Sequence, residues 1–205
     1  DITISASVNS IGLNPFQGCL ALEVLEVEEG NEYYHSAGNC VIETATNTLV
    51  LGFKNSEIPA YVTAIGDSAF FDCSSLTNIT IPSGVTSIGN SVFMGCTSLT
   101  SVAIPDGIES IGDSAFSDCS SLTSITIPDS VFHVDDYAFY GCTNLGAFYG
   151  KLTSSDNRML IINKRLVGFA PRGLTSYTIP DDVELIGANE SIFNWCDKLT
   201  RFYGK

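Results

Sequence analysis

Seven cysteines and two histidines are the residues of this 205-residue chain that could bind a metal ion or act as nucleophiles. Thiolates and imidazoles are the usual zinc ligands, and two thiols of suitable geometry can form a disulfide. Six of the cysteines, however, share one position of a sequence repeat, and no C-x-x-C motif occurs. A small thiol is readily buried, so we predict buried free thiols, with disulfides or a metal site as the alternatives. The six are Cys19, Cys73, Cys96, Cys119, Cys142 and Cys196.

The two histidines lack the partners that catalysis requires. A histidine that activates a nucleophile must itself be oriented by a third group. His35 lies shortly before Cys40, and His133 lies close to Asp135 and Asp136. Neither spacing supplies such a triad, so we expect both histidines to be solvated surface residues.

Paired acids occur twice, at Asp135–Asp136 and Asp181–Asp182. They could suggest calcium, but no loop of the D-x-[DN]-x-[DN]-G kind is present, and no glycine-rich phosphate loop. Both pairs fall near predicted turns or caps, so structural roles are expected. The sequence therefore predicts no enzyme activity, no cofactor and no metal site.

The net charge of −14 is concentrated in the first three quarters of the chain. Residues 1–150 contain 17 acids and a single base, Lys54, whereas residues 151–205 contain six acids and eight bases. Nucleic-acid binding depends on basic residues that displace counterions, so nucleic acid is excluded as the expected partner. No apolar run reaches the ~18–20 residues of a membrane-spanning helix.

A 23-residue repeat sets the elements that would position these residues. It reads L-x-x-I-x-I-P-x-x-V-x-x-I-G-x-x-A-F-x-x-C-x-x, and its phenylalanines form a regular series. One such unit cannot bury both of its apolar sides, so neighbouring units must stack into a solenoid. The phenylalanine series, expected to form a buried ladder, is Phe16, Phe70, Phe93, Phe116, Phe139 and Phe193. We assign one domain, 1–205, of about eight coils: 2–27, 28–58, 59–81, 82–104, 105–127, 128–150, 151–179 and 180–205.

Each unit predicts a short strand followed by a turn. In 76–81, Ile79 and Ile81 alternate with Asn78 and Thr80, which indicates a strand with its isoleucines inward. Pro82 cannot extend the ladder and favours a turn. Further along each unit, an Asp or Asn precedes Ser-Ala-Phe or a similar triplet, which is typical of the N-cap of a short helical turn. These cap positions are Asp67, Asn90, Asp113 and Asp136.

Two units, 28–58 and 151–179, are longer than the repeat. Each contains two apolar runs separated by a polar turn, at 44–47 and at 163–164, which predicts a β-hairpin. We expect these hairpins to replace the helical turn on the convex side of the solenoid.

The repeat resembles a known family. Ile-Gly-Asp-Ser-Ala-Phe at 111–116 and Cys-Ser-Ser-Leu-Thr-Ser-Ile-Thr-Ile-Pro-Asp-Ser-Val at 119–131 are similar to BspA-type leucine-rich repeats of bacterial surface proteins. The resemblance implies a β-rich leucine-rich-repeat solenoid, a right-handed stack of coils with a parallel sheet on the concave face. It also implies a secreted or cell-surface protein of a host-associated bacterium, of a family with members thought to bind host matrix or other cells.

The concave strand face is the predicted interaction surface. Tyr and Arg are frequent in binding hot spots, and they occur only toward the C-terminal end of this face. The alternative is that exposed strand positions simply favour Ser and Thr. The outward positions, in coil order, are Val24 and Glu26, Asn55 and Glu57, Asn78 and Thr80, Ser101 and Ala103, Ser124 and Thr126, Ala147 and Tyr149, Ser176 and Thr178, and Arg201 and Tyr203. The candidate contact residues among them are Ser124, Thr126, Tyr149, Thr178, Arg201 and Tyr203.

We therefore predict a non-catalytic binding or adhesion module, extracellular or at the cell surface, whose partner is a protein or glycan of a host or neighbouring cell. A structural spacer within a longer protein is the first alternative, and an enzyme with an unrecognised site is the second. Phe-Tyr-Gly-Lys at 148–151 leads into a hairpin unit, and the same four residues end the chain at 202–205. We therefore expect a fragment that continues into another hairpin coil, with apolar ends that could make end-to-end contacts.

Overall fold

The computed structural model describes residues 1–16, 18–19, 22–135, 137–181, 183–186, 190–193, 196 and 198–203. Within these residues the chain forms a β-solenoid of about eight coils with parallel sheets and almost no helix. The strands are β1 (Ile2–Ile4), β2 (Leu25–Val27), β3 (Tyr34–Ala37), β4 (Cys40–Glu43), β5 (Thr48–Leu51), β6 (Ala64–Ile65), β7 (Asn78–Thr80), β8 (Ser87–Ile88), β9 (Ser101–Ala103), β10 (Ser110–Ile111), β11 (Ser124–Thr126), β12 (His133–Val134), β13 (Ala147–Tyr149), β14 (Met159–Ile162), β15 (Arg165–Phe169), β16 (Ser176–Thr178), β17 (Leu185–Ile186) and β18 (Arg201–Tyr203).

The predicted strands of the repeat are confirmed on one face of the solenoid. We call the surface formed by β1, β2, β7, β9, β11, β13, β16 and β18 the first strand face. These strands form parallel pairs, β1–β2, β7–β9, β11–β13 and β16–β18. The alternation also holds, because Ile79 is buried between the exposed residues Asn78 and Thr80. Residues 55–57, expected to continue this face, form no strand.

A second sheet, which the sequence analysis did not predict, runs along another side of the solenoid. Its strand order is β12-β10-β8-β6-β5-β4-β3. The strands β6, β8, β10 and β12 have two residues each and lie at the Val-x-x-Ile part of the repeat. Ile65, Ile88, Ile111 and Val134 line up in this ladder and are all buried.

The prediction of a short helical turn in each coil is wrong. The only helical segment among the described residues is a 3₁₀ turn at Glu190–Phe193. In the regular coils the residue after the cap position has a positive φ, 60° at Ser68 and 55° at Ser114. A right-handed helix cannot contain such a residue.

The expected N-cap side chains instead bond to the following coil. Asp67 Oδ1 accepts a hydrogen bond from the backbone N–H of Asn90 at 2.8 Å, and Asn90 Oδ1 accepts one from Asp113 N–H at 3.0 Å. These side-chain oxygens therefore satisfy backbone N–H groups of the next coil rather than N–H groups of a helix in their own coil. Asp136 lies outside the described residues.

The two longer units contain antiparallel strands, β3–β4–β5 and β14–β15. We expected these strands to replace a helical turn on the convex side, and that expectation is wrong. They join the second-face ladders instead: β5 pairs in parallel with β6, and β15 pairs in parallel with β17.

The core is divided at these two longer units. Cys40, Ile42 and Leu49 belong to the large central cluster, whereas Val41 and Leu51 belong to a smaller N-terminal one. Neighbouring residues of a strand point to opposite sides, and an irregularity in the β4–β5 register separates Leu49 from Leu51, so each antiparallel unit has core on both sides. The second unit behaves in the same way: Leu160 and Ile162 face the central cluster, and Met159, Leu166 and Phe169 face a C-terminal cluster.

The phenylalanine ladder is confirmed for the four regular coils. The rings of Phe70, Phe93, Phe116 and Phe139 stack with centroid distances of 5.3, 5.3 and 5.6 Å. The ladder does not continue into the ends of the chain. Phe16 contacts Phe53 at 6.2 Å and Phe193 contacts Phe169 at 5.2 Å, because the antiparallel units lie between these residues and the regular coils.

Candidate interaction surface

The cysteine ladder is part of the packed interior of the regular coils. Each of Cys96, Cys119 and Cys142 is buried, and its thiol donates a hydrogen bond of 3.1 Å to the carbonyl oxygen of a phenylalanine in the preceding coil. All seven cysteines are free thiols. Burial raises the pKa of all three of these thiols well above the usual value. A thiol that stays protonated at neutral pH is neither a good nucleophile nor a metal ligand.

The other cysteines depart in part from the predicted burial. Cys19 is exposed, and Cys73 and Cys196 are half-buried. Cys73 adjoins an antiparallel unit, and its thiol donates a hydrogen bond to the Gly52 carbonyl oxygen. Burial raises the pKa of Cys73 to about 12. Burial also raises the pKa of Cys40 to about 11, opposed by a hydrogen bond with Ser56.

The histidines have defined neighbours. His133 is exposed, as expected, and its Nε2 lies 2.8 Å from an oxygen of Asp135. His35, which we expected to be solvated, is half-buried: its Nδ1 lies 3.0 Å from Thr44 Oγ1 and its Nε2 lies 2.9 Å from Tyr61 Oη.

The described residues include no group of three or more His, Cys, Asp or Glu side chains arranged to hold a metal ion. Asp135 contacts His133, and Asp181 is exposed. Their neighbours Asp136 and Asp182 lie outside the described part of the chain. In that part, no helix is long and apolar enough to cross a membrane.

One group of candidate contact residues lies on β11 and β13. The parallel register places Ser124 beside Ala147 and Thr126 beside Tyr149. Thr126 is exposed, and Tyr149 is 47% exposed. Tyr149 is thus a large, amphipathic ring standing above short hydroxylated side chains, which suits it to contact a partner.

A second group lies on β16 and β18, where the register places Ser176 beside Arg201 and Thr178 beside Tyr203. Thr178 and Arg201 are exposed, and the side chain of Tyr203 lies outside the described residues. The two groups do not form one ladder, because β13 and β16 are not paired.

Other exposed aromatic residues were missed by the sequence analysis. Phe132 is 61% exposed, and Tyr33 and Tyr61 are 50% and 45% exposed. Phe132 occupies the repeat position that is Glu109 in the preceding coil and Thr86 in the coil before that. A departure from the repeat toward an aromatic residue was therefore the signal that could have identified it.

Surface ion pairs connect neighbouring parts of the stack. Lys54 lies 3.3 Å from Glu23, and Lys151 and Lys164 contact Asp129 and Glu184. The hydrogen bond from Lys151 lowers the pKa of Asp129. Exposed pairs of this kind contribute little to stability. They also neutralise few of the 17 acids of residues 1–150, so the surface of this part of the chain is strongly acidic.

Comparison with known proteins identifies the repeat. The family model for the BspA type leucine rich repeat region matches residues 49–159 in six copies. A search of curated protein sequences finds no match.

Solved structures of bacterial repeat proteins share the fold. A leucine rich cell surface protein from Faecalibacterium prausnitzii is 28% identical over 100% of this chain and 47% of its own, with a TM-score of 0.67. A leucine-rich repeat protein from Eubacterium ventriosum is 22% identical over 98% of this chain and 47% of its own, with a TM-score of 0.63. The pneumococcal vaccine antigen PcpA is 16% identical over 99% of this chain and 55% of its own, with a TM-score of 0.58. The chain thus spans about half the length of these proteins, and the last two show the fold alone.

Proposed function

This chain belongs to the BspA-type leucine-rich repeat family, and we propose that it is a non-catalytic binding or adhesion module at a bacterial cell surface. The observation that carries the proposal is the first strand face, whose short parallel strands expose alternate side chains to solvent. The surface location rests on the Faecalibacterium relative, which is described as a cell surface protein. We treat residues 1–205 as one solenoid domain with the eight coils assigned from the sequence.

The contact residues that we propose form two groups on this face. Ser124, Thr126 and Tyr149 form the first, and Thr178, Arg201 and Tyr203 form the second. Tyr and Arg supply the anchors, because such residues contribute most often to binding hot spots. The short Ser and Thr side chains beside them leave the strands accessible and offer hydroxyl groups for hydrogen bonds.

The partner is a protein or a glycan of a host or neighbouring cell. The folded chain, immobilised and exposed to arrays of matrix proteins and glycans, should show saturable binding to at least one of them. Tyr149→Ala should weaken this binding at least tenfold, since loss of a hot-spot aromatic costs ~2 kcal/mol or more.

The control is Tyr33→Ala, because Tyr33 has a similar exposure but does not lie on the first strand face. This variant should bind within about twofold of the parent, an effect smaller than ~0.5 kcal/mol. Equal losses in the two variants would contradict the proposed surface.

A structural spacer is the second candidate function. The observation that favours it is that the exposed positions of β7, β9 and β11 are Asn, Thr, Ser and Ala, which provide few anchors. A spacer predicts no saturable partner on any array. Removal of regular coils would then change only the distance between the flanking parts of a longer protein.

A further inference from the structure

The strand β7 has an open edge inside the stack. In a parallel ladder, the N–H and C=O of one residue point to the same neighbouring strand, and those of the next residue point the other way. Ile81 donates its N–H to the Ala103 carbonyl, toward the following coil. Asn78 and Thr80 therefore direct their backbone groups toward residues 55–58. Both segments are fully described, and no hydrogen bond joins them.

Residues 53–57 leave this edge open because their polar groups bond within their own unit. Ser56 Oγ accepts a hydrogen bond from Phe53 N–H and donates one to the Asn39 carbonyl, both at 2.7 Å. Glu57 N–H donates to the Gly38 carbonyl at 2.8 Å. The segment is thus held toward the antiparallel strands, away from β7.

The other long unit behaves differently. In the long unit 151–179, the Asn157 carbonyl accepts a hydrogen bond of 2.8 Å from the backbone N–H of Phe148 in β13. The edge of β13 that faces this long unit is therefore hydrogen-bonded to it. An open edge is therefore not a general property of the long units. A second open edge separates β9 from β11, which are unpaired although both belong to regular coils. At β7, the open edge is accompanied by the local bonding of Ser56 and Glu57 and faces the long unit.

A groove lies along the open edge. It has a volume of about 470 Å³, and its lining residues are Ser56, Glu57, Ile58 and Ala60 on one side and Asn78, Ile79, Thr80 and Pro82 on the other. The volume is within the range of ligand-binding clefts. Ile58, Ala60 and Pro82 make part of the lining apolar, and Glu57 is an exposed acid within it.

We propose that this groove binds a short extended peptide of a protein partner, which pairs its backbone with Asn78 and Thr80 as an added strand. Unpaired strand groups are complementary to another peptide backbone, and strand addition is a common way to recognise extended segments. The peptide places an apolar side chain over Ile58 and Pro82 and a Lys or Arg opposite Glu57. A basic peptide also suits the acidic surface of residues 1–150. This inference deepens the proposed function and rests on it.

Amide exchange and peptide display provide the test. In the free chain, the amides of Asn78 and Thr80 should exchange much faster than that of Ala103, which lies opposite Thr80 and faces β7 in the parallel ladder. A displayed library of nine-residue peptides, screened against the folded chain, should yield extended basic sequences. Their binding should slow the exchange of the Asn78 and Thr80 amides at least tenfold.

Methylation of the peptide backbone gives a control that leaves the protein unchanged. Methylating the peptide N–H groups that face β7 should weaken binding at least tenfold, and methylating the alternate ones should change it less than threefold. In the protein, Thr80→Pro should abolish binding, whereas Thr80→Ala, which retains the backbone N–H, should preserve it.

The outcomes separate this site from the broader proposal. A library that yields no binding peptide, or peptides that bind without protecting Asn78 and Thr80, would overturn the open-edge site. Neither result affects the array experiment or its Tyr149→Ala comparison, which test the proposed function by themselves.

Discussion

Single residues of the regular coils are stabilised mainly by the coil above and the coil below. The ring of Phe116 is completely buried between those of Phe93 and Phe139. The thiol of Cys119 donates to the carbonyl of Phe93. Substitutions at these positions therefore disturb two interfaces between coils at once.

Phe116→Ala should lower the free energy of unfolding by about 3–5 kcal/mol, from lost burial and the cavity that remains. Urea melts of the variant and the parent measure the difference. A loss smaller than about 1 kcal/mol would be incompatible with a fully buried ring in the middle of the ladder.

The buried thiols should make the fold sensitive to alkali. Their folded pKa values are raised, to about 11 at Cys40 and about 12 at Cys73, from about 9. The protonated thiols therefore stabilise the fold fully below about pH 9, and this stabilisation is lost as the pH rises through the folded pKa values. Each thiol contributes a slope of up to ~1.4 kcal/mol per pH unit in that window.

Urea melts between pH 8 and 11 measure this slope. Cys96→Ala should make it shallower, and Cys19→Ala, which removes a thiol already exposed in the folded chain, is the matched control. The same change in both variants would contradict the assignment.

Thiol titration of the unfolded, unreduced protein should also find close to seven free groups.

At the scale of elements, alternation carried the successful predictions. The pattern Leu-x-x-Ile-x-Ile was sufficient for the first strand face, because one inward residue between two outward ones identifies a strand locally. The second sheet was missed because strands such as Ser87–Ile88 are too short to show alternation.

The prediction of helical turns failed because the deciding hydrogen bonds join different coils. Asp-Ser-Ala-Phe resembles an N-cap within its own segment, but the Asp67 carboxylate bonds to the next coil and Ser68 adopts a positive φ. The spacing of residues along one coil cannot show that the next coil supplies the donor. The open edge of β7 was likewise unpredictable, because it depends on which carbonyl Ser56 binds.

The antiparallel units contain glycines that the sheet packing requires. A Cβ added at Gly52 would meet the Phe70 ring at 2.1 Å. Gly52→Ala should therefore cost about 1–3 kcal/mol through overpacking. Gly84→Ala, whose Cβ would meet nothing closer than 3.4 Å, should change stability by less than about 0.5 kcal/mol. Thermal or urea melts of the two variants check the contrast, which equal effects would refute.

On the scale of the whole molecule, the regular coils 59–150 are similar but not equivalent. The residue before each ladder cysteine alternates between Asp and Gly, as Asp72, Gly95, Asp118 and Gly141. A Cβ added at Gly95 would lie 2.1 Å from an Asp72 oxygen, and one at Gly141 would lie 2.1 Å from an Asp118 oxygen. Each aspartate thus occupies the space that the following glycine leaves.

Removing one coil, 82–104, would place Asp72 beside Asp118. The two carboxylates would then compete for one space and repel each other. Asp118→Gly should stabilise this deletion variant by at least ~1 kcal/mol more than it changes the parent, a coupling that a double-mutant cycle isolates. The comparison uses urea melts of all four chains, and equal effects in both backgrounds would disprove the coupling.

The alternation also bears on how a gene for such a protein can change in length. Tandem repeats gain and lose whole units by unequal recombination, and most single units would appear interchangeable from the repeat alone. Here a step of two coils, such as loss of 82–127, brings Asp72 next to Gly141 and preserves the fit. A step of one coil does not. Gain or loss of a pair of coils therefore keeps this packing, and we expect variants of this solenoid that differ by two coils to fold more stably than those that differ by one.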